Sequence, residues 1–140
     1  MVIGLDVDGV LRKLPLPIRY LAKYTSPFDI FERAEVKFVK HNIFGMCRFI
    51  PFILDRRFVE QFQNQEVVII SSRKEDCEKI YHHLKKYLKI KAYYCRGNRP
   101  FYEKDWKLRC CKKEKISVFF EVRKYVIEYL RRRGIRVIEV

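Results

Sequence analysis

Five short runs of Val, Ile, Phe and Tyr residues restrict most strongly how this chain can fold. They read "VIGLDV", "EVVII", "IKAYYC", "ISVFF" and "IRVIEV" along the 140 residues. Each run is apolar throughout instead of alternating, which is typical of strands that are covered on both faces. Helical or irregular segments lie between the runs. The sequence therefore predicts an α/β fold with a five-stranded parallel sheet.

Two of the connecting segments have the pattern of helices that pack on this sheet. Apolar residues recur at spacings of three and four in both segments, which places them on one helix face. The two faces consist of Cys77, Ile80, Leu84 and Leu88 in the first segment and of Val122, Val126, Ile127 and Leu130 in the second. We expect the second helix to end at Gly134, because glycine is common just after a helix.

The stretch between the first and second runs is longer than one crossover requires. A crossover needs roughly a dozen residues, whereas this stretch covers residues 12–60 and contains Pro15, Pro17, Pro27 and Pro51. We therefore predict a single domain over residues 1–140 with an insertion at about residues 12–60.

The chain is strongly basic. It has 31 Lys and Arg against 17 Asp and Glu, for a net charge of +14. This charge indicates an anionic partner such as nucleic acid or a phosphorylated metabolite, but a Lys-rich solvated surface accounts for it equally well. The clusters are Lys85, Lys86, Lys89 and Lys91, then Lys112, Lys113 and Lys115, then Arg131, Arg132 and Arg133.

Other classes of protein are disfavoured. The most apolar window contains Arg48 and Pro51 and falls short of the roughly 20 residues that span a bilayer. We therefore expect a cytoplasmic protein with no membrane association. The five cysteines lack the spacing of a zinc site, and we expect reduced, structural thiols.

Two carboxylates and a glycine follow the first apolar run. Ligands of open α/β sheets bind outside the carboxyl ends of the strands, and Asp6 and Asp8 come at that end of the first strand. Gly9 allows a sharp turn and leaves room for a ligand. The pattern predicts a binding or catalytic site at this edge.

Ser71, Ser72 and Arg73 follow the second apolar run at the same predicted edge. Hydroxyl, main-chain N–H and guanidinium groups all hold phosphoryl oxygens. Taken alone, this triplet is also typical of a helix N-cap.

Two further pieces come later in the chain. "KDWK" contains Lys104 and Lys107, and Glu121 ends the fourth apolar run. Three carboxylates close together repel one another unless a hard cation lies among them, which favours Mg²⁺ bound by Asp6, Asp8 and Glu121.

Taken together, these pieces resemble the haloacid dehalogenase superfamily of phosphatases. The order Asp6-Val7-Asp8-Gly9-Val10, then Ser71, then a lysine, then an acid that closes a strand matches the four motifs of that superfamily. "SSRKEDCEKIYHHL", "YYCRGNRP" and "FFEVRKYVIEYLRRRGIRVIEV" look most like its nucleotidase branch and the phosphatase domain of polynucleotide kinase-phosphatases. The resemblance covers the chain apart from the insertion, which corresponds to a small, mainly helical cap.

The resemblance implies a role for each matching residue. Asp6 is the expected nucleophile that forms an aspartyl-phosphate, and Asp8 the expected acid and base. Ser71 holds a phosphoryl oxygen, and Lys107, or else Lys104, offsets negative charge. Glu121, Asp6 and the main-chain carbonyl of Asp8 bind Mg²⁺.

The chain departs from the family pattern at one important point. The fourth motif usually carries two acids, whereas Glu121 lies between Phe120 and Val122. This leaves open a weakened enzyme or a domain that binds phosphate without hydrolysing it.

The expected substrate class follows from the basic residues. Gly9, Ser72, Arg73, Arg96 and Arg99 are the expected substrate-binding residues, and three arginines that converge at the site would hold a polyanion. The expected function is a Mg²⁺-dependent phosphomonoesterase that acts on nucleotide or nucleic-acid terminal phosphates. The alternatives are a catalytically weak domain that binds nucleic acid and a small-metabolite phosphatase.

Overall fold

The computed structural model describes residues 1–13 and 52–140. The central part of the predicted insertion, and with it the cap, lies outside the described residues. In chain order the strands are β1 (Ile3–Leu5), β2 (Arg12–Lys13), β3 (Ile53–Leu54), β4 (Glu66–Ser71), β5 (Lys89–Cys95), β6 (Val118–Glu121) and β7 (Val137–Glu139). The helices are α1 (Arg56–Glu60), α2 (Cys77–Leu84), α3 (Glu103–Lys113) and α4 (Lys124–Arg131).

Five of the strands form one parallel sheet in the order β5-β4-β1-β6-β7. The predicted α/β fold with a five-stranded parallel sheet and flanking helices is confirmed. Strands β4 and β5 lie on one side of β1, and the later strands β6 and β7 lie on its other side. The strand order therefore reverses beside β1, which is where open α/β sheets bind ligands.

The sheet is buried on both faces, and its inner strand β4 is apolar at every position from Val67 to Ile70. Along β4, Val67 and Ile69 belong to one apolar cluster, and Val68 and Ile70 belong to another. Successive side chains of a strand point to opposite faces, so the two clusters are the two layers of the core. A continuous apolar run is what this arrangement requires.

The two predicted helices pack on the sheet. Ile80 and Leu84 of α2 are buried, and so are Val126, Ile127 and Leu130 of α4. Leu88 and Val122, which were also predicted on these faces, are buried but lie outside the two helices. After α4 the chain turns at Gly134, whose φ is +82°.

Cys77, on the predicted face of α2, is only half-buried and forms a disulfide with Cys95 at the end of β5. The expectation of reduced thiols was wrong for this pair, because the crossover brings together two cysteines that are 18 positions apart.

Both described ends of the insertion belong to ordered structure. Strands β2 and β3 pair in an antiparallel ribbon, and the N–H of Asp55 donates to the carbonyl of Leu11 at 2.8 Å. Helix α1 then places Val59 in the core beside Phe62. The predicted insertion included this helix, whereas in the structure the helix packs against the sheet. No helix in the described ranges has the length and apolarity needed to cross a membrane.

Candidate active site

Three acids that the sequence singled out lie at the carboxyl edge of the sheet. Asp6 follows β1, and Glu121 is the last residue of β6. The main-chain N–H of Asp6 donates to the carbonyl of Phe120 at 3.2 Å, so the parallel pairing of β1 and β6 continues to the first acid. Asp8 lies in the turn that follows. The sheet register therefore brings the ends of β1 and β6 together.

The turn after Asp6 depends on Gly9. The carbonyl of Val7 accepts hydrogen bonds from the N–H groups of Leu11 and Arg12 at 3.0 and 2.9 Å, which folds the chain back on itself. Gly9 has a φ of +87°, and a Cβ atom there would lie 2.7 Å from Cγ1 of Val122. Only glycine satisfies both the backbone conformation and the close approach of β6.

Lys107 lies among three carboxylates. Its side chain is fully buried, and its Nζ lies 2.6 Å from Glu121 Oε2, 2.9 Å from Glu103 Oε1 and 3.3 Å from Asp6 Oδ1. Burial alone would lower the pKa of Lys107, but attraction to Asp6, Glu103 and Glu121 raises that pKa well above its ordinary value. The lysine therefore stays cationic in the site.

The structure separates the two candidate lysines. Lys104, one turn of α3 before Lys107, places its Nζ 4.9 Å from the centre of the Tyr129 ring. Of the two, Lys107 is the residue that contacts Asp6.

Glu103 is a site residue that the sequence reasoning missed. Its Oε2 accepts hydrogen bonds from Arg123 at 2.5 Å and from the Tyr125 hydroxyl at 2.7 Å. Burial would raise the pKa of Glu103, but the charges of Arg123 and Lys107 and the hydrogen bonds from Lys107 and Tyr125 lower it well below its ordinary range. The signal that finds this residue is its position four residues before Lys107 on one helix.

Glu121 is fully buried, and both of its oxygens are engaged. Oε1 accepts the main-chain N–H groups of Val122 and Arg123 at 2.9 and 3.0 Å, while Oε2 faces Lys107. These contacts fix the carboxylate at the end of β6.

Asp8 is held by two arginines. Its Oδ1 lies 2.8 Å from NH1 of Arg73 and 3.0 Å from NH1 of Arg12. The side chain of Arg12 is only 2% exposed and was not singled out in the sequence. It lies four residues after Asp8, in β2, and so anchors the acid to the ribbon.

The loop after β4 brings the serines to the same edge. Ser71 is buried, its Oγ accepts the N–H of Arg73 at 3.2 Å, and its carbonyl accepts Nε1 of Trp106 at 3.0 Å. The Oγ of Ser72 is buried and has no hydrogen-bond partner within the described parts of the chain. This hydroxyl has no acceptor for its proton among the described residues, and a phosphoryl oxygen would be a suitable acceptor.

Arg96 and Arg99 follow β5, and their side chains bond to main-chain carbonyl groups. The N–H of Arg96 donates to the carbonyl of Ser71 at 2.9 Å. The side chain of Arg96, however, donates to the Phe101 carbonyl, and that of Arg99 donates to the Cys95 carbonyl. Of the three predicted arginines, Arg73 is the one that the structure joins to an aspartate of the site.

Burial disfavours the ionised form of Asp6 despite the nearby Lys107. Burial and the charge of Glu121 raise the pKa of Asp6 well above its ordinary value of 3.8; Lys107 lowers it, and Glu103 and Asp8 raise it further. Desolvation is therefore the main reason for the raised pKa, and the neighbouring acids add to it.

The sequence argument for Mg²⁺ needs correction. Within residues 1–13 and 52–140, no group of three or more His, Cys, Asp and Glu side chains is arranged to hold a metal ion. Repulsion among the acids is relieved by Lys107, Arg12 and Arg73, so it does not by itself require a metal. Mg²⁺, however, usually takes only one or two carboxylates along with waters and a substrate phosphate. Asp6 is a carboxylate of that kind, whereas both oxygens of Glu121 are already engaged by Lys107 and by main-chain N–H groups.

Comparison with known proteins gives a similarity of fold. No protein-family model matches the chain, and no curated protein matches it. A solved structure that matches is that of a conserved haloacid dehalogenase-like protein of unknown function from Agrobacterium tumefaciens str. C58, with a TM-score of 0.57 and 16% identity. The match covers 99% of this chain and 81% of that one. The chain therefore has a haloacid dehalogenase-like fold.

Proposed function

We propose that this protein is a phosphomonoesterase of the haloacid dehalogenase type that acts through an aspartyl-phosphate on Asp6. The observation that carries the proposal is the position of Asp6, at the point where strand order reverses and 3.3 Å from the buried ammonium group of Lys107. A nucleophilic carboxylate beside a fixed cation, with a second aspartate two residues later, suits phosphoryl transfer.

The reaction has two steps. In the first, an oxygen of Asp6 attacks phosphorus, the bond to the ester oxygen breaks, and Asp8 donates a proton to that oxygen. In the second, Asp8 takes a proton from water, the water oxygen attacks phosphorus, and Asp6 is released with inorganic phosphate.

The remaining residues bind and orient the substrate. The hydroxyls of Ser71 and Ser72 and the guanidinium of Arg73 hold the phosphoryl oxygens, and Lys107 offsets charge on Asp6. Asp6 would hold Mg²⁺, which would supply screening of the negative charges that meet in this reaction. Glu103 and Glu121 hold the ammonium group of Lys107 at 2.9 and 2.6 Å.

We propose a nucleotide or nucleic-acid terminal phosphate as the substrate class. The net charge of +14 favours a polyanion over a small neutral ester. The second candidate function is binding of nucleic acid with weak hydrolysis, which the lone acid at the end of β6 favours.

The experiment that tests the proposal measures phosphate release in Mg²⁺ from an aryl phosphate and from a terminally phosphorylated oligonucleotide. Wild type should release phosphate, and Asp6→Asn should lose at least about a thousand-fold in rate because no nucleophile remains. Asp105→Asn is the matched control, because Asp105 accepts the hydroxyl of Tyr129 on the α4 side of α3.

The outcomes separate the candidate functions. Release from the oligonucleotide supports the nucleic-acid substrate, and release only from the aryl phosphate supports a metabolite phosphatase. Absence of release from both by wild type, with binding of the oligonucleotide retained, would support the binding domain instead.

A further inference from the structure

An open groove of about 350 Å³ lies between α2 and the edge strand β5. It is lined by Tyr81, Ile90, Lys91, Ala92 and Tyr93. None of these residues belongs to the carboxylate site. The groove is large enough for a planar ring system and lies beside the outermost strand of the sheet, where no further strand covers it in the described part of the chain.

A bulge in β5 shapes the groove. Val67 pairs with Ile90 and Val68 pairs with Ala92, so Lys91 is an extra residue in the edge strand. The extra residue places Ile90 and Tyr93 with the same apolar layer, on the side of α2. Bulges at sheet edges commonly redirect side chains beside a binding site.

The chemistry of the groove is aromatic and cationic. The rings of Tyr81 and Tyr93 are 5.1 Å apart between centroids, and the ammonium of Lys85 lies 5.7 Å from the centre of the Tyr81 ring. Tyr81 is half-buried, while Lys85 is exposed. Aromatic faces beside basic side chains are the features with which proteins hold single-stranded nucleic acid, because every base has a face that stacks.

The sheet register places Tyr93 near the carboxylate site, because Tyr93 pairs with Ile69 and Cys95 pairs with Ser71 at the end of β4. Two residues therefore separate Tyr93 from the site edge, which is about 7 Å along the sheet. The nearby charges agree with this placement: burial raises the pKa of Tyr93 to about 12, Arg73 opposes this shift, and Asp8 adds to it. The hydroxyl of Tyr93 is buried and has no hydrogen-bond partner among the described residues.

We propose that this groove, with Tyr81 and Tyr93 in its lining and Lys85 beside Tyr81, binds a base near the end of a single-stranded nucleic acid whose terminal phosphate enters the carboxylate site. The entry of the phosphate rests on the proposed function, whereas the binding of the base does not. The charge of the chain matches this occupant, because a net charge of +14 attracts a polyanion and repels a second copy of the protein.

The test measures binding without catalysis, in full-length protein that carries Asp6→Asn. Fluorescence anisotropy follows a short, dye-labelled, terminally phosphorylated oligothymidine and a matched strand whose terminal nucleotides are abasic. Tyr81→Leu keeps the groove apolar but removes the stacking face. We expect it to weaken binding of the normal strand roughly five-fold to a hundred-fold, and to leave binding of the abasic strand unchanged.

A second variant tests the charge of the groove independently of its packing. Lys85→Gln should make the slope of log binding constant against log salt concentration shallower by about 0.7, the contribution of one released counterion on a single strand. The controls are Tyr87→Leu, for an exposed tyrosine outside the groove, and Lys113→Gln, for a lysine that lies over Tyr94. Both controls should bind like the parent protein.

The proposal is overturned if Tyr81→Leu binds the normal strand as tightly as its parent, if the abasic strand binds equally well to the parent, or if no strand binds at low salt. Those results leave the phosphatase proposal intact when wild type still releases phosphate. Conversely, if the groove binds the strand as expected but the wild-type protein hydrolyses no phosphate ester, the proposed function is contradicted and the groove proposal is not.

Discussion

At the scale of single residues, the site is organised around one buried cation. Lys107 contacts acids from three elements: Asp6 after β1, Glu121 at the end of β6 and Glu103 on its own helix. Glu103 is in turn held by Arg123, so this acid joins Lys107 to the residue that precedes α4. Its loss should therefore affect both stability and the position of Lys107.

We predict that Glu103→Gln lowers the free energy of unfolding by about 3 kcal/mol at neutral pH. Removing one partner of a buried ion pair leaves the other charge uncompensated, and the value falls at the lower end of the usual range because Arg123 keeps 19% exposure. Urea unfolding measures the change. The control Tyr125→Phe removes only one hydrogen bond to the same carboxylate and should cost about 1.5 kcal/mol.

The pH dependence of the difference in stability between wild type and Glu103→Gln tests whether that difference is electrostatic. The pKa of Glu103 is lowered in the folded protein from its ordinary value of 4.5, so the unfolded chain binds the proton more readily. Its contribution to stability is complete above pH 4.5 and is lost as the pH falls towards the folded pKa. The gap between wild type and Glu103→Gln should narrow below pH 4.5, and a constant gap would contradict this account.

The sequence could predict those site residues that end apolar strands. Asp6, Ser71 and Glu121 were found because a strand end has a recognisable pattern and parallel strands share one carboxyl edge. Arg12 and Glu103 were missed although each pairs with a residue four positions away, because that spacing between opposite charges is common by chance in a chain that is 34% charged. The acceptors of the Arg96 and Arg99 side chains are main-chain carbonyl groups, and sequence spacing does not predict such contacts.

At the scale of elements, the turn that joins β1 to the ribbon determines where the two aspartates lie. The five strands of the sheet were predictable because each is a continuous apolar run, and helices α2 and α4 because apolar residues recur there at spacings of three and four. Helix α1 has only five residues, of which Val59 alone is buried, so the sequence does not show that this helix packs on the sheet. The conformation of Gly9 is the feature of this turn that a substitution can test.

We predict that Gly9→Ala destabilises the protein more than Gly134→Ala does, by more than about 1 kcal/mol. Both glycines have a positive φ, +87° and +82°, so the cost of a left-handed backbone, about 1–2 kcal/mol, is common to both. Only at Gly9 does the added methyl group meet a neighbour, Cγ1 of Val122 at 2.7 Å, and overpacking of this kind costs a further 1–3 kcal/mol or so. Urea unfolding of the two variants gives the difference, and equal losses would show that the close approach to β6 is not rigid.

At the scale of the whole molecule, the excess positive charge lies outside the candidate site. Asp6, Asp8, Glu103 and Glu121 are matched in number by Lys107, Arg123, Arg12 and Arg73. The net charge of +14 therefore belongs to the rest of the chain. Self-repulsion of this size destabilises the compact state and attracts polyanions, so one property governs both stability and binding.

We predict that salt acts in opposite directions on the free protein and on its complex with nucleic acid. Raising the ionic strength from about 0.01 to 0.15 M shortens the Debye length from about 30 to 8 Å, so repulsion weakens and Tm of the free protein rises. The same salt weakens binding of an oligonucleotide, whose stabilising effect, about 2.7 kcal/mol at a hundred times Kd, then diminishes. Calorimetry with and without the oligonucleotide should give Tm values that converge as salt is added. A fall of Tm with salt in the free protein would mean that attractive pairs outweigh repulsion, and the argument from net charge to a polyanionic partner would lose its basis.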